Sequence, residues 1–453
     1  MPDLHDSLSS TALKLSFMSI TNVEWSCLHS GAGILQSTNT KLIREYSDLP
    51  SSISYLKCLY KKSKPVFSKL PDTSHTEGTL GWDDKSFSRL ITPDCQAFAI
   101  LSMCSSAEVL YPSDIPLGCS LLRSASFYRD FASSYMRSSD GLFITVEDKT
   151  KALDEELKLK PCSKNTRLSD QVLMFEALIY LHSITCREDM AEYLSGQSTQ
   201  YRNEAESIFG FICESLPQLL SSPSKEISIC ISSFARCLAL EKNQPGTNGL
   251  KDLIYTLCAE MEARIRITGE VETGPGSPDT SSMMTHFKVS CAMLEGYQST
   301  GILKFKELGM KIYDYLEDLY NPSFKLYMES DSTKVTCSIR DIADMLKLQL
   351  LKFQTDSDLH AQNRLNDMYS VLIENSNIVQ SLPDKHYIIR GQSIVLPEHI
   401  PDTLTVGKAP VFLKSIKLNL KKDAGFKSSK HFNSLYSLYA SYTFLHYFQQ
   451  HMS

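Results

Sequence analysis

Four aspartates stand at or just before the start of helix-like apolar runs: Asp94, Asp170, Asp279 and Asp341. Each is followed four residues later by a bulky apolar side chain, respectively Phe98, Met174, Met283 and Met345. A carboxylate in that place has two uses. It can accept first-turn backbone N–H bonds and complement the helix dipole, which stabilises a helix by about 1 kcal/mol. It can also face a cavity, where the helix N-terminus favours the charged form and so suits a base or nucleophile rather than an acid. Asp170 and Asp279 are the first candidates for the second use. Asp170 follows a long Lys-rich loop, Asp279 follows the glycine-bearing stretch 268–278, and long loops are where sites concentrate. Glu147 and Asp148 close a short strand-like run from Phe143, where a carboxyl is either a general acid on a strand end or a surface charge. His286 lies seven residues after Asp279, two turns along on nearly the same helix face. It reads as an acid/base group if it lines a cavity, and as a hydrogen-bonded core histidine if it does not.

The elements that position these residues alternate. One set of helix-like runs covers 94–110, 170–186, 225–241, 279–299, 337–353 and 430–449, and is apolar around nearly the whole circumference. Helices of that kind are buried on all sides. A second set covers 119–137, 198–220, 248–267, 301–320 and 358–376, with an N-terminal helix over Leu8–Ile20 as its sixth member. These are amphipathic: Leu308, Ile312, Tyr315, Leu316 and Leu319 share one stripe. The contrast predicts an inner and an outer ring. Two outer helices end alike, in a turn and a short alternating strand, at Asp140-Gly141-Leu142-Phe143 and at Asn321-Pro322-Ser323-Phe324-Lys325-Leu326-Tyr327. Residues 1–85 read as an N-terminal segment packed on the ring, with a further helix within Leu42–Tyr60 and a loop over Ser63–Asp84. Residues 86–453 make the ring. Within it, 377–428 departs from the pattern with β-type runs and reads as a small inserted sheet that serves as a lid, an oligomer surface or a structural cover.

Bulk properties exclude several classes. The chain has 453 residues, 42% hydrophobic and 22% charged, with a formal charge of -6. That is ordinary globular composition, with ample length for one large core. No dense Lys/Arg stripe with interleaved aromatics is present, so no nucleic-acid partner is expected. The basic stretch Lys414–Lys430 alternates with Ile416, Leu418 and Leu420 and reads as a solvated strand face. No apolar run approaches the roughly 18 residues that cross a bilayer, and the N-terminus lacks a basic, secretory-type leader, so no membrane partner is expected. Thirteen cysteines without a Cys-x-x-Cys pair suit a reducing compartment, and the expected location is cytoplasmic. Neither a glycine-rich phosphate loop nor a nucleophile elbow occurs, and there is no zinc-type Cys/His spacing. No cofactor or metal is therefore expected. The triad Asn366, Ser370 and Glu374 has the spacing of a magnesium-binding helix face, but no aspartate-rich motif accompanies it.

The helix–turn–short-strand unit (Asp140-Gly141-Leu142-Phe143 and its counterpart from Asn321) followed by an inner helix (Ser169-Asp170-Gln171, with Ala177-Leu178 and Tyr180-Leu181) resembles the six-hairpin (α/α)6 toroid superfamily. That superfamily includes glycoside hydrolases, polysaccharide lyases and the N-acylglucosamine 2-epimerase group. The resemblance covers about residues 86–449 as an architecture, without the catalytic signature of any one family. It implies a mainly α toroid whose active site lies at the mouth where inner helices begin, and a small or oligomeric carbohydrate as partner. Glycosidic cleavage needs an acid and a base or nucleophile on opposite sides of the bond, which makes Asp170, Asp279, Glu147 and Asp148 its candidates. His286 would serve an epimerase. Trp82 beside Asp83 fits a sugar-stacking platform or a loop staple. Tyr436, near the start of the last inner helix, fits a substrate contact or core. The expected function is hydrolysis of a glycosidic bond by a pair of mouth carboxylates. Two alternatives stand beside it: a non-catalytic toroid that binds a protein or polymer, and an epimerase-like acid/base enzyme.

Overall fold

The structure is a computed structural model. It describes residues 4–29, 33–35, 56–63, 65–66, 81–82, 88–111, 113–150, 157–162, 166–187, 197–241, 247–329, 334–379, 388–389, 392–393, 412–420, 425–429 and 431–452.

Twelve long helices organise the described residues. They are α1 (Leu4–Glu24), α2 (Pro93–Leu110), α3 (Ile115–Tyr135), α4 (Leu168–Thr185), α5 (Ser198–Glu214), α6 (Ser224–Leu240), α7 (Thr247–Glu262), α8 (Met283–Thr300), α9 (Leu303–Glu317), α10 (Ile339–Asp356), α11 (Leu359–Tyr369) and α12 (Ser434–Phe448). The even-numbered helices form the inner ring. Each packs on the next, and α12 returns to pack on α2, so the ring is closed. Outside it, α3 packs on α2, α5 on α4, α7 on α6, α9 on α8, α11 on α10, and the N-terminal α1 on α12.

Sequence dictates the two roles. Every residue of α2 except Glu108 is buried, and α4 leaves only Asp170, His182 and Ser183 less than buried. An outer helix buries one stripe, as in α5 with Tyr201, Ala205, Ile208 and Ile212 at three- and four-residue steps. Gly309 lets α9 approach α8 closely, because a Cβ there would meet Leu294 at 2.9 Å. Inner-to-outer turns are short, that from α4 to α5 excepted. Gly301, with φ 76°, ends α8 in the left-handed conformation, and α9 begins two residues later.

Outer-to-inner connections, α5 to α6 apart, are long, and most carry short strands or β-bridges. Leu90–Ile91, Val146–Asp148 and Leu159–Pro161 form a three-stranded sheet ahead of α2 and α4. Lys334–Ser338 runs into α10 and pairs with Ser415–Asn419, which pairs with Lys427–Ser428. Phe432–Asn433 leads into α12 and pairs with Lys62–Ser63. All the long inner-helix starts therefore share one rim.

The basic stretch from Lys414 is a strand, as its alternation predicts, and Ile388–Ile389 with Gln392–Ser393 is a hairpin in the expected insertion. Three expectations need correction. Leu56–Leu59 is a strand paired with Gly33–Leu35, not helix, because its apolar groups are buried in sheet pairing against α3; residues 42–55 lie outside the described set. Parts of 63–84 form strand pairs, Pro65–Val66 with Gly81–Trp82 among them. The inner helix expected from Asp279 begins at Met283 instead, since Glu272 and Thr280 are held in a β-bridge.

Candidate active site at the rim

Successive inner helices bring their first turns together. Asp94 is the second residue of α2, Asp170 the third of α4 and Glu226 the third of α6. Asp94 is buried, and its Oδ1 accepts bonds from Thr92 Oγ1 (2.5 Å) and the Cys95 N–H (2.8 Å). Glu226 accepts a bond from Ser169 Oγ, next to Asp170. Asp170 itself is half-buried and accepts no hydrogen bond among the described residues. Burial pushes its carboxyl up to about 8; the neighbouring Asp94 and Glu226 add to this, against Arg167 and Lys61. The helix terminus alone would pull the other way, towards a base or nucleophile. Burial and two nearby carboxylates outweigh it, so Asp170 is an acid at neutral pH rather than a base.

Across the ring, Arg340 lies in the first turn of α10, with its guanidinium 4.7 Å from the Tyr439 ring centroid. Its Nε is buried and has no hydrogen-bond partner among the described residues. Burial works against its charge, but Tyr439, Asp344, Asp94 and Tyr436 together raise it above the ordinary value. Tyr436 is half-buried beside this group. Asp341 closes a capping box with Ser338 and is committed to the helix start.

Below the rim the ring is filled. Lys288 and Tyr439 both donate to Asp344. Burial pushes Lys288 down to about 8; Asp344 opposes this and Arg340 adds to it. Deeper, Arg236 forks onto Glu176 (2.6 and 2.8 Å), which also accepts from Ser233 and Tyr442. Glu295 accepts from Lys347 (2.8 Å), Ser232 (2.5 Å) and Tyr447. Burial alone would raise the Glu295 carboxyl, but Lys347 and Arg236 hold it below the usual range. Three cations, Lys288, Lys347 and Arg236, thus face three carboxylates, Asp344, Glu295 and Glu176, along the axis. A cavity of about 20 Å³ lies there, lined by Lys288, Asp344, Lys347 and Tyr439 among others.

The other sequence candidates are scattered. Asp279 is exposed, in the loop before α8, and its carbonyl accepts the Thr273 N–H. Glu147 is paired with Lys149 (2.6 Å) at a half-exposed strand position. Asp148 is buried and accepts from Tyr60 Oη (2.5 Å) and the Thr150 N–H (2.8 Å), which ties strand to loop. His286 accepts the Val271 N–H at Nε2 (3.0 Å), bonds the Ser282 carbonyl through Nδ1 (3.0 Å) and stacks on Tyr315 of outer helix α9. It faces away from the axis. The Trp82 backbone is in a strand pair, while Asp83 lies outside the described residues. Asn366 and Glu374 accept bonds from Thr11 and Lys14 of α1. Sequence reading missed Glu226, Arg340 and the whole axial network. Its signal was present: a Glu such as Glu176 inside a helix apolar all round must be buried, and a buried charge needs a partner.

No family model and no curated protein matches the sequence. Solved structures do. A D-mannose isomerase superposes with a TM-score of 0.59 at 8% identity, over 98% of this chain and 99% of that one. A cellobiose 2-epimerase from Bacillus thermoamylovorans B4167 gives 0.54 at 8% identity, over 79% and 88%. A sugar epimerase from a ruminal bacterium gives 0.54 at 10% identity, over 83% and 93%. This chain is an (α/α)6 toroid. Identities this low show shared fold, and chemistry must be argued from the toroid's own residues. No helix among the described residues is long and apolar enough to cross a membrane.

Proposed function

We propose that the toroid is a carbohydrate-active enzyme that performs acid–base chemistry at the rim, with Asp170 as proton donor. One observation carries this reading: an acid without a hydrogen-bond partner among the described residues sits between Asp94 and Glu226, contributed by the first turns of the neighbouring inner helices. In glycosidic hydrolysis Asp170 would pass its proton to the leaving oxygen. The Asp94 carboxylate, held by Thr92 and Cys95, would assist water or the developing positive charge. As the glycosidic C–O bond breaks, the water oxygen bonds to the anomeric carbon and its released proton restores Asp170, while Asp94 orients the water without taking that proton. Arg340 and Tyr436 would hold sugar hydroxyls across the mouth. The sugar isomerase and epimerases on which the toroid superposes support a sugar as substrate class. The epimerase reading that relied on His286 loses its base, because both ring nitrogens are bonded to backbone.

A second reading has its own support. The axis is filled by paired charges instead of open, as expected of a non-catalytic toroid that binds at its surface. Incubation with a panel of neutral oligosaccharides, assayed for new reducing ends and for epimer formation, separates the two. Turnover lost in Asp170→Asn and Asp94→Asn with melting unimpaired supports the enzyme. Turnover unaffected by both variants, or none from any sugar in the panel, supports the binding protein.

A further inference from the structure

A cavity far larger than the axial one lies away from the rim. A space of about 790 Å³ opens where α6, α8, α10 and α12 end, at the opposite face of the toroid. That size is within the roughly 300–1,000 Å³ of small-molecule sites. Arg236 and Glu295 form its floor, so the packed axis separates it from Asp170.

Its lining selects a ligand type. Gln298, Gln354 and Gln450 surround the opening, with Ser299 beside them and the His446 and Tyr447 rings on the inner wall. Among the described residues Gln298, Ser299, Gln450 and the His446 ring carry no hydrogen bond, while Gln354 is bonded to His451 (3.0 Å). Amides and hydroxyls both donate and accept, as sugar hydroxyls do. The rings offer flat apolar surface to a sugar's C–H face. Charged ligands fit poorly. Four inner-helix C-termini direct carbonyl oxygens towards this end, which disfavours an anion. The Arg236 guanidinium on the floor and Lys251 at the edge disfavour a cation. Glu295 is already held by Lys347, Ser232 and Tyr447. Burial pushes His446 down to about 3, helped by Arg236 and Lys347 against Glu295, so its ring is neutral.

We propose that this far-end cavity is a second binding site, specific for a neutral polyhydroxylated molecule of mono- or disaccharide size. It requires neither rim carboxylate and does not rest on the catalytic reading.

Saturation-transfer NMR with D-mannose and cellobiose tests it, with gluconate and glucosamine as charged competitors. Ala239 is exposed on the cavity wall, so Ala239→Trp fills the space without disturbing the core. Gln298→Ala with Gln354→Ala removes polar partners only. Transfer from at least one neutral sugar is expected. It should disappear in Ala239→Trp, weaken by about tenfold in the double glutamine variant, and persist in Asp170→Asn. Transfer that survives both cavity variants overturns the proposal, as does loss in Asp170→Asn with retention in Ala239→Trp, which would assign the sugar to the rim. Stronger competition by gluconate or glucosamine than by the neutral sugars overturns it too. So does the absence of transfer from either neutral sugar at about 20 mM, well above the millimolar range of weak binding.

Discussion

Replacing Asp170 by Asn mimics its protonated form at every pH, which makes stability a direct reading of the rim. The folded chain holds the carboxyl at about 8 against an ordinary 3.8, with burial first and Asp94 next among the causes. Below about pH 4 the group is neutral in both folded and unfolded chains, and the two proteins should melt alike. As pH rises towards 8 the unfolded chain loses this proton while the folded chain retains it, so wild-type stability falls. Above 8 the charged carboxylate sits beside Asp94 and Glu226 and the full penalty is present. At about 1.4 kcal/mol per pH unit the ceiling is about 6 kcal/mol. Solvent reaches the half-buried group, and screening brings the expected gain in Asp170→Asn to about 1–2 kcal/mol. For a chain of this length that is a Tm rise of about 1–4 °C at pH 9, with little change at pH 5. Thermal melts at the two pH values measure it. A gain of equal size at both, or a loss at pH 9, would refute an acid held neutral by burial and neighbouring carboxylates.

Asp94→Asn removes the largest neighbouring charge, so the Asp170-linked pH midpoint should fall below about 8; a midpoint that stays put separates the two groups. Arg236→Met leaves Glu176 buried without its forked partner and should cost about 3–5 kcal/mol in urea unfolding. Combined with Glu176→Gln the loss should be smaller than the sum of the single changes, because the residues are directly coupled. Ser338→Ala opens the α10 capping box and should cost about 1 kcal/mol, with sugar turnover at the rim unchanged. His286→Ala should lower stability by about 1–3 kcal/mol through the orphaned Val271 N–H; lost turnover with an unchanged melt would restore His286 to the chemistry.

Local pattern was enough to establish the two helix classes and their alternation. A helix such as α4, apolar on every side, must be surrounded by other elements, and a one-stripe helix such as α5 must have a wet face. Cap-type residues and loop lengths likewise marked the end of the ring where long connections gather. The roles of individual carboxylates were not legible there. Asp94, Asp170 and Asp341 share a local setting, yet one is tied to Thr92, one to Ser338, and one stands between charges from two other helices. Those neighbours are far away in sequence, and a carboxyl's proton affinity depends on burial and nearby charge rather than on position in its own helix. The same holds for His286, whose ring turns outward to Tyr315 once the helix starts at Met283, and for the axial pairs Arg236–Glu176 and Lys347–Glu295, which form only because successive inner helices, far apart in sequence, pack on one another.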